Sequence, residues 1–274
     1  SPATVYTHLV TLWMLTLQRL GGGTSLEKVV KEVLTNHRSL FPDNRRVREG
    51  TLSFQSGTYS QARQRLPLAL AESFAEQVCQ SLGERTASWH EGRRGYVLDG
   101  TTITLAPTSS LREAFPPAMN QHGETVWPIL MLMVVHELRS GCALRPELGA
   151  MYGPNRTSES QQAAAIARRL PAGSLVLADA GFGIFSVAYA LRNAGQDILL
   201  RLSTARFKAL RRQAAETEHL AGSVRYRVRW LPSRGDRETN PDLPATACLE
   251  VFLHEVVLEN GERLYLVTSL AVSS

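Results

Sequence analysis

Hydrophobic positions along the chain change period once. Up to about residue 90 they recur at helical spacing. Val5, Leu9, Leu12, Trp13 and Leu20 predict a first helix. Thr24-Ser-Leu-Glu27 reads as a capping box opening a second helix, which runs to about Asn36. Pro67 opens another helix, with Leu68, Leu70, Phe74 and Val78 on its apolar face. Gly21-Gly-Gly23 reads as a helix break, Pro42–Gly50 as a charged connector and Ser56-Gly-Thr as a turn.

From residue 94 the pattern becomes strand-like. Tyr96–Leu105, Trp127–Leu138 and Ala143–Tyr152 predict three strands. The run from Trp127 to Val135 is almost continuously apolar, as in a strand covered on both faces. A helix over Ser158–Leu170, a strand over Ser174–Asp179, a helix over Ile184–Asn193 and a strand over Asp197–Leu202 follow. The order β-β-β-α-β-α-β is that of an α/β fold with a ribonuclease H-like mixed sheet. Beyond it, Val224-Arg-Tyr-Arg-Val-Arg-Trp230 alternates apolar and basic residues, which predicts one buried face and one carrying Arg225, Arg227 and Arg229. Ser233–Pro244 reads as a polar turn region, and Leu249–Leu258 and Arg263–Leu270 as two further strands. Three parts are expected: a helical region over 1–92, a core over 93–202 and a β-rich insertion over 203–274.

Two aspartates carry the candidate chemistry. Asp99 ends an apolar run in Tyr96-Val-Leu-Asp-Gly-Thr-Thr, and Asp179 ends another in Leu175-Val-Leu-Ala-Asp-Ala-Gly-Phe182. Strand ends are where α/β folds present their chemistry, and paired carboxylates suit a hard divalent cation. Taken singly, each aspartate also reads as a turn or helix-cap residue. Glu159 reads as a first-turn helix residue, and Glu250 and Glu255 as exposed strand residues. His122 and His136 lack zinc spacing, and Gly21-Gly-Gly23 lacks the frame of a phosphate loop.

Charge adds a partner to the picture. Lys and Arg number 30 against 25 acids, net +5, which favours an anionic partner. Two basic groups are candidates for following a DNA backbone: Arg206, Lys208, Arg211 and Arg212, and the ladder of Arg225, Arg227 and Arg229 ending at Trp230, whose indole reads first as a core residue of the insertion and second as a candidate for base stacking. Arg45, Arg46 and Arg48 form a weaker third group. The three scattered cysteines predict a reduced, cytoplasmic setting. The apolar start is too polar for a membrane span.

Asp99-Gly-Thr101, Phe115-Pro, Trp127-Pro-Ile129 and Leu175–Phe182, in this order, resemble a bacterial DDE transposase of the insertion-sequence-four, or Y-R-E-K, family. Leu9-Val-Thr-Leu-Trp13 and Tyr59–Leu66 are similar to that family's N-terminal region. The resemblance implies DNA cleavage and strand transfer at insertion-sequence ends, using two Mg²⁺ or Mn²⁺ ions held by Asp99, Asp179 and a third acid. It implies double-stranded DNA at element ends and in the target as partners, a homodimer on paired ends, and a nucleoid-associated location. Two departures accompany it. Ala180 stands where the family usually carries Arg, and no Tyr…Arg…Glu…Lys pattern precedes Ser274. This chain alone is therefore expected to bind metal weakly and not to cleave. The rival readings are a catalytically dead DNA-binding remnant, a ribonuclease H-like nuclease outside transposition, and an interaction protein whose aspartates only cap turns.

Overall fold

The computed structural model describes residues 4–89, 92–121, 123–220 and 223–271. They form two compact units, residues 1–77 and 78–274.

The first unit holds four helices: α1 (His8–Leu20), α2 (Leu26–Asn36), α3 (Arg45–Glu49) and α4 (Gly57–Arg65). Val10, Met14, Val29, Val30, Val33, Val47 and Tyr59 fill its core, with Tyr6 set edge-on to Phe41. Ser25, not Thr24, caps α2, its hydroxyl accepting from the Lys28 amide, because Thr24 instead donates to Gly21 at the end of α1. The charged connector contains a helix, since Asn44 caps α3 and left-handed Gly50 closes it. Ser56 leads directly into α4. α5 (Leu68–Arg85) runs from the first unit into the second.

The second unit is built on one mixed sheet. Its strands are β1 (Gly95–Thr104), β2 (Pro117–Asn120), β3 (Gly123–Glu137), β4 (Glu147–Ala150), β5 (Leu175–Ala178), β6 (Asp197–Arg201), β7 (Ala214–Leu220), β8 (Ser223–Trp230), β9 (Leu249–Val257) and β10 (Arg263–Thr268). Its remaining helices are α6 (Ser109–Ala114), α7 (Glu159–Ala167), α8 (Phe185–Asn193), α9 (Thr204–Arg211) and α10 (Arg234–Thr239). β1 pairs antiparallel with β3, and β3 with β4. β1, β5 and β6 run parallel to one another. Two helical crossovers thus follow an antiparallel start, which is the ribonuclease H-like arrangement. Past β6 the sheet continues through β10, β9 and β8 to β7. The β-rich segment after residue 203 extends the core sheet edge to edge.

Side-chain alternation separates the two faces of this sheet. One face carries Leu98, Val135, Ala178, Leu200, Val267, Leu253 and Val228, and packs on Ile166 of α7, Leu191 of α8 and Phe207 of α9. Among the described residues the opposite face is half-buried along most of its length, with Leu175 and Thr268 buried, and it is exposed around Asp99, Asp179 and Arg201. β3 corrects the sequence reading here: Met133 and Val135 are buried, whereas Leu130, Leu132 and Val134 are half-buried and Trp127 is exposed. The helices cover only one side of the strand.

Asp197 ties the beginning of β6 to its surroundings. Its carboxylate accepts from Arg93, from Arg192 at 2.5 Å and from the Ser269 hydroxyl at 3.0 Å. The two arginine side chains are about a third exposed, so solvent screens these pairs. Asp197→Asn is expected to cost about 1–2 kcal/mol, lowering Tm by ~3–6 °C in a thermal melt.

Candidate active site

The parallel pairing of β1 with β5 runs from Gly95↔Leu175 to Leu98↔Ala178. Carried one residue further, the same register sets Asp99 beside Asp179, one strand spacing apart, about 4.8 Å. Both aspartates are exposed. They follow Leu98 and Ala178, which point into the helix-covered core, so alternation turns the carboxylates to the open face.

The residues around them explain the local motifs. Asp179 Oδ1 accepts from the amides of Gly181 at 2.9 Å and Phe182 at 3.4 Å, forming a turn closed by its own side chain. Asp99 Oδ1 accepts from the Gly100 amide at 2.8 Å. In each carboxylate Oδ2 accepts no hydrogen bond among the described residues. A Cβ on Gly100 would lie 3.0 Å from the ring of Phe182, which is buried. The Asp-Gly of β1 and the Asp-Ala-Gly-Phe after β5 are therefore two sides of one contact. Glycine at 183 has a harder reason: a Cβ there would sit 2.1 Å from the Arg201 carbonyl oxygen.

Two exposed oxygen donors of this kind fit a divalent cation. Among the described residues no three His, Cys, Asp or Glu side chains gather as a metal-binding group. Glu159 lies elsewhere, on a groove of about 720 Å³ lined also by Tyr189 of α8 and Asn240. His136 is exposed on β3, and His122 lies outside the described residues.

The basic candidates divide into paired and unpaired groups. Arg206 lies at the site, its Nη1 donating to the Ala180 carbonyl at 2.8 Å. Lys208 and Arg212 are exposed and make no ion pair among the described residues. Arg211 lies 3.7 Å from Glu255 and over the Tyr226 ring. Glu255 corrects its sequence reading, being 7% exposed and held by Arg263 as well. The ladder of β8 faces outward as the alternation predicts, yet each arginine meets a glutamate. Arg225 pairs with Glu218, Arg227 lies 3.7 Å from Glu216, and Arg229 lies 3.9 Å from Glu250. Each ladder arginine thus has a glutamate across the strand, closely held at Arg225 and loosely, in solvent, at Arg227 and Arg229. Trp230 takes the core role and not the stacking one: it is 5% exposed and edge-on to Phe185 at 5.6 Å, because it belongs to the apolar half of the alternation. Arg45 and Arg48 pair with Glu49 and Asp43.

Beside the ladder, His254 of β9 has a buried Nε2 with no hydrogen-bond partner among the described residues. Burial first, and then the charge of Arg225, push its pKa below the usual 6.5, against a weaker opposing pull from Glu218. The unfolded chain binds this proton more tightly than the folded one. The stability contribution is full above pH 6.5 and declines as pH falls below it towards the lowered folded value. Tm is expected to drop between about pH 7 and pH 5, and His254→Gln to flatten that slope.

A family profile described as "Transposase DDE domain" matches residues 90–231, just over half of the chain. The chain belongs to the transposase DDE-domain family. A search of curated proteins returned no match. Among solved structures, a piggyBac transposase synaptic complex with hairpin DNA aligns at 8% identity and a TM-score of 0.33, over 65% of this chain and 34% of that one. Endonuclease V of Ciona intestinalis bound to DNA aligns at 11% identity and a TM-score of 0.26, over 71% and 80% of the two chains. The NurA nuclease of Sulfolobus solfataricus aligns at 9% and 0.26, over 84% and 82%. This chain thus spans about a third of the length of the piggyBac chain. At these scores the fold assignment rests on strand order and register, not on the likenesses. No helix among the described residues is long and apolar enough to cross a membrane.

Proposed function

We propose that this chain belongs to an insertion-sequence transposase of the Y-R-E-K type, which cleaves and joins DNA at element ends by metal-dependent phosphoryl transfer. The observation that carries the reading is the β1–β5 register, which brings Asp99 and Asp179 together on the open face of the sheet. Asp99 and Asp179 would hold Mg²⁺ or Mn²⁺, two ions in the complete enzyme. Metal bound there activates the attacking oxygen and stabilises the leaving one. The residues of this chain do the positioning. The turn closed on Asp179 Oδ1 fixes that carboxylate, and the contact of Gly100 with Phe182 fixes Asp99 relative to it.

Among the described residues no third carboxylate joins the pair. Two carboxylates alone are expected to bind Mn²⁺ weakly, about millimolar. DNA contact falls chiefly to Arg206, Lys208 and Arg212, since the β8 ladder is already paired with glutamates. The complete enzyme acts in the bacterial cytoplasm on element ends and target DNA, as a homodimer holding paired ends. The test is titration of this chain with Mn²⁺, followed by paramagnetic resonance. Saturable binding that weakens in Asp99→Asn and Asp179→Asn supports the proposal. Binding that both variants leave intact overturns it.

A further inference from the structure

A cation that no motif marks sits in the same row as the two aspartates. β5 pairs with β6 from Leu175↔Asp197 to Ala178↔Leu200. The next step of that register brings Arg201 beside Asp179, as the β1–β5 register brings Asp99 to its other side. On its far side Arg201 is paired with Leu266 of β10. Read across the sheet, the row is Asp99, Asp179, Arg201. Leu200 before it is buried in the helix-covered core, so Arg201 turns to the open face with the carboxylates.

Three features distinguish this arginine from the others in the sheet. It is exposed, and its side chain makes no hydrogen bond or ion pair among the described residues. The ladder arginines on β8, by contrast, each meet a glutamate. Its backbone is fixed, because it ends a strand paired on both sides and its carbonyl is pressed against Gly183. A second guanidinium flanks the same turn: Arg206 is tethered to the Ala180 carbonyl, next to Asp179.

We propose that Arg201 binds a phosphate of the DNA backbone at the reacting position, with Arg206 holding the turn that carries Asp179. The inference rests on the DNA phosphoryl-transfer reading and names the protein group that receives the phosphate. Two carboxylates repel a phosphate at one strand spacing, and a guanidinium offers it charge and paired donors in a planar fork. An unpaired arginine one strand from the acids offsets that repulsion where metal alone otherwise must.

The test is binding of a blunt DNA duplex to this chain by fluorescence anisotropy, over a series of salt concentrations, in EDTA and in Mg²⁺. Arg201→Gln is expected to weaken binding about 10-fold and to flatten the plot of log affinity against log salt by about 0.9, the loss of one phosphate contact. Arg201→Lys retains the slope and most of the affinity, because it keeps the charge. Arg227→Gln, which removes an arginine already facing Glu216, changes affinity less than about twofold. A coupling readout separates phosphate contact from a structural role. In EDTA, Asp179→Asn raises DNA affinity about fourfold when Arg201 is present, and less than about twofold in the Arg201→Gln background, because only a phosphate seated there feels the carboxylate. Circular dichroism and Tm confirm that each variant folds, as expected for an exposed side chain. An unchanged salt slope in Arg201→Gln, or an equal gain from Asp179→Asn in both backgrounds, overturns the proposal. Either result leaves the phosphoryl-transfer reading standing, because that reading falls only if the aspartate variants bind Mn²⁺ as the parent chain does.

Discussion

Asp99→Asn and Asp179→Asn each weaken Mn²⁺ binding by this chain at least ~10-fold while leaving its Tm within about 2 °C. If the proposed function holds, each would lower DNA cleavage at least ~10³-fold, about 4 kcal/mol of barrier. Asparagine is the informative substitution because it preserves the turn. Its side-chain oxygen accepts from the Gly181 and Phe182 amides as Asp179 Oδ1 does, and asparagine forms such turns as readily as aspartate. Shape and local hydrogen bonding stay; the charge goes. If these aspartates only close turns, nothing measurable follows. If they are ligands for a hard cation, losing one anionic oxygen donor from a set of two is severe. Oδ2 of each accepts no hydrogen bond among the described residues, so the charge serves no neighbour there. Mn²⁺ titration and a thermal melt on the same samples decide between the two roles.

The second large effect is expected at Gly183. Gly183→Ala should lower stability by about 3 kcal/mol, a fall in Tm of ~6–12 °C for a unit of this size. The added Cβ would lie 2.1 Å from the Arg201 carbonyl oxygen and 3.2 Å from Leu202 Cδ2. The first of these is backbone at the end of a paired strand and has nowhere to relax. The turn after β5 must therefore lift away from β6, and it carries Asp179. Loss of stability is accompanied by weaker metal binding, which distinguishes this position from an ordinary core site. Gly181→Ala is the milder comparison, since its Cβ meets the Asp179 carboxylate at 3.1 Å, the end of a side chain that can shift. A melt of Gly183→Ala within about 2 °C of the parent contradicts the packing described here.

Much of the architecture is legible in local sequence. The helices before residue 90, the strands of the ribonuclease H-like core and the two crossover helices fall close to where the periodicity puts them. Most of them bury one side, and burial of one side leaves its period in the sequence; α5 is the exception, since none of its residues is buried and Leu68, Leu70 and Val78 of its apolar face are exposed. The elements that periodicity misses are short or polar: α3, α4, α6, β2, α9, β7 and α10. Each buries at most two of its described side chains, too few to impose a pattern. The Asp-Gly and Asp-Ala-Gly-Phe segments mark the site because their glycines answer to close contacts.

The sequence by itself determined the periods of the elements, the apolar runs that lead into Asp99 and Asp179, and the division of β8 into an apolar and a basic face; that Asp99 lies within β1 and Asp179 just past β5 was decided by the sheet. Tertiary structure decided what each of these meets. Strand register, a long-range property, set the two aspartates side by side and added Arg201 to their row, although 22 residues along the chain separate it from Asp179. Cross-strand pairing set a glutamate beside each arginine of the basic ladder, since the glutamates that face it come from β7 and β9. Packing buried Trp230, the residue whose chemistry invited a DNA role. Charge and residue type are written locally; whether a cation is free to meet a phosphate depends on the strand beside it.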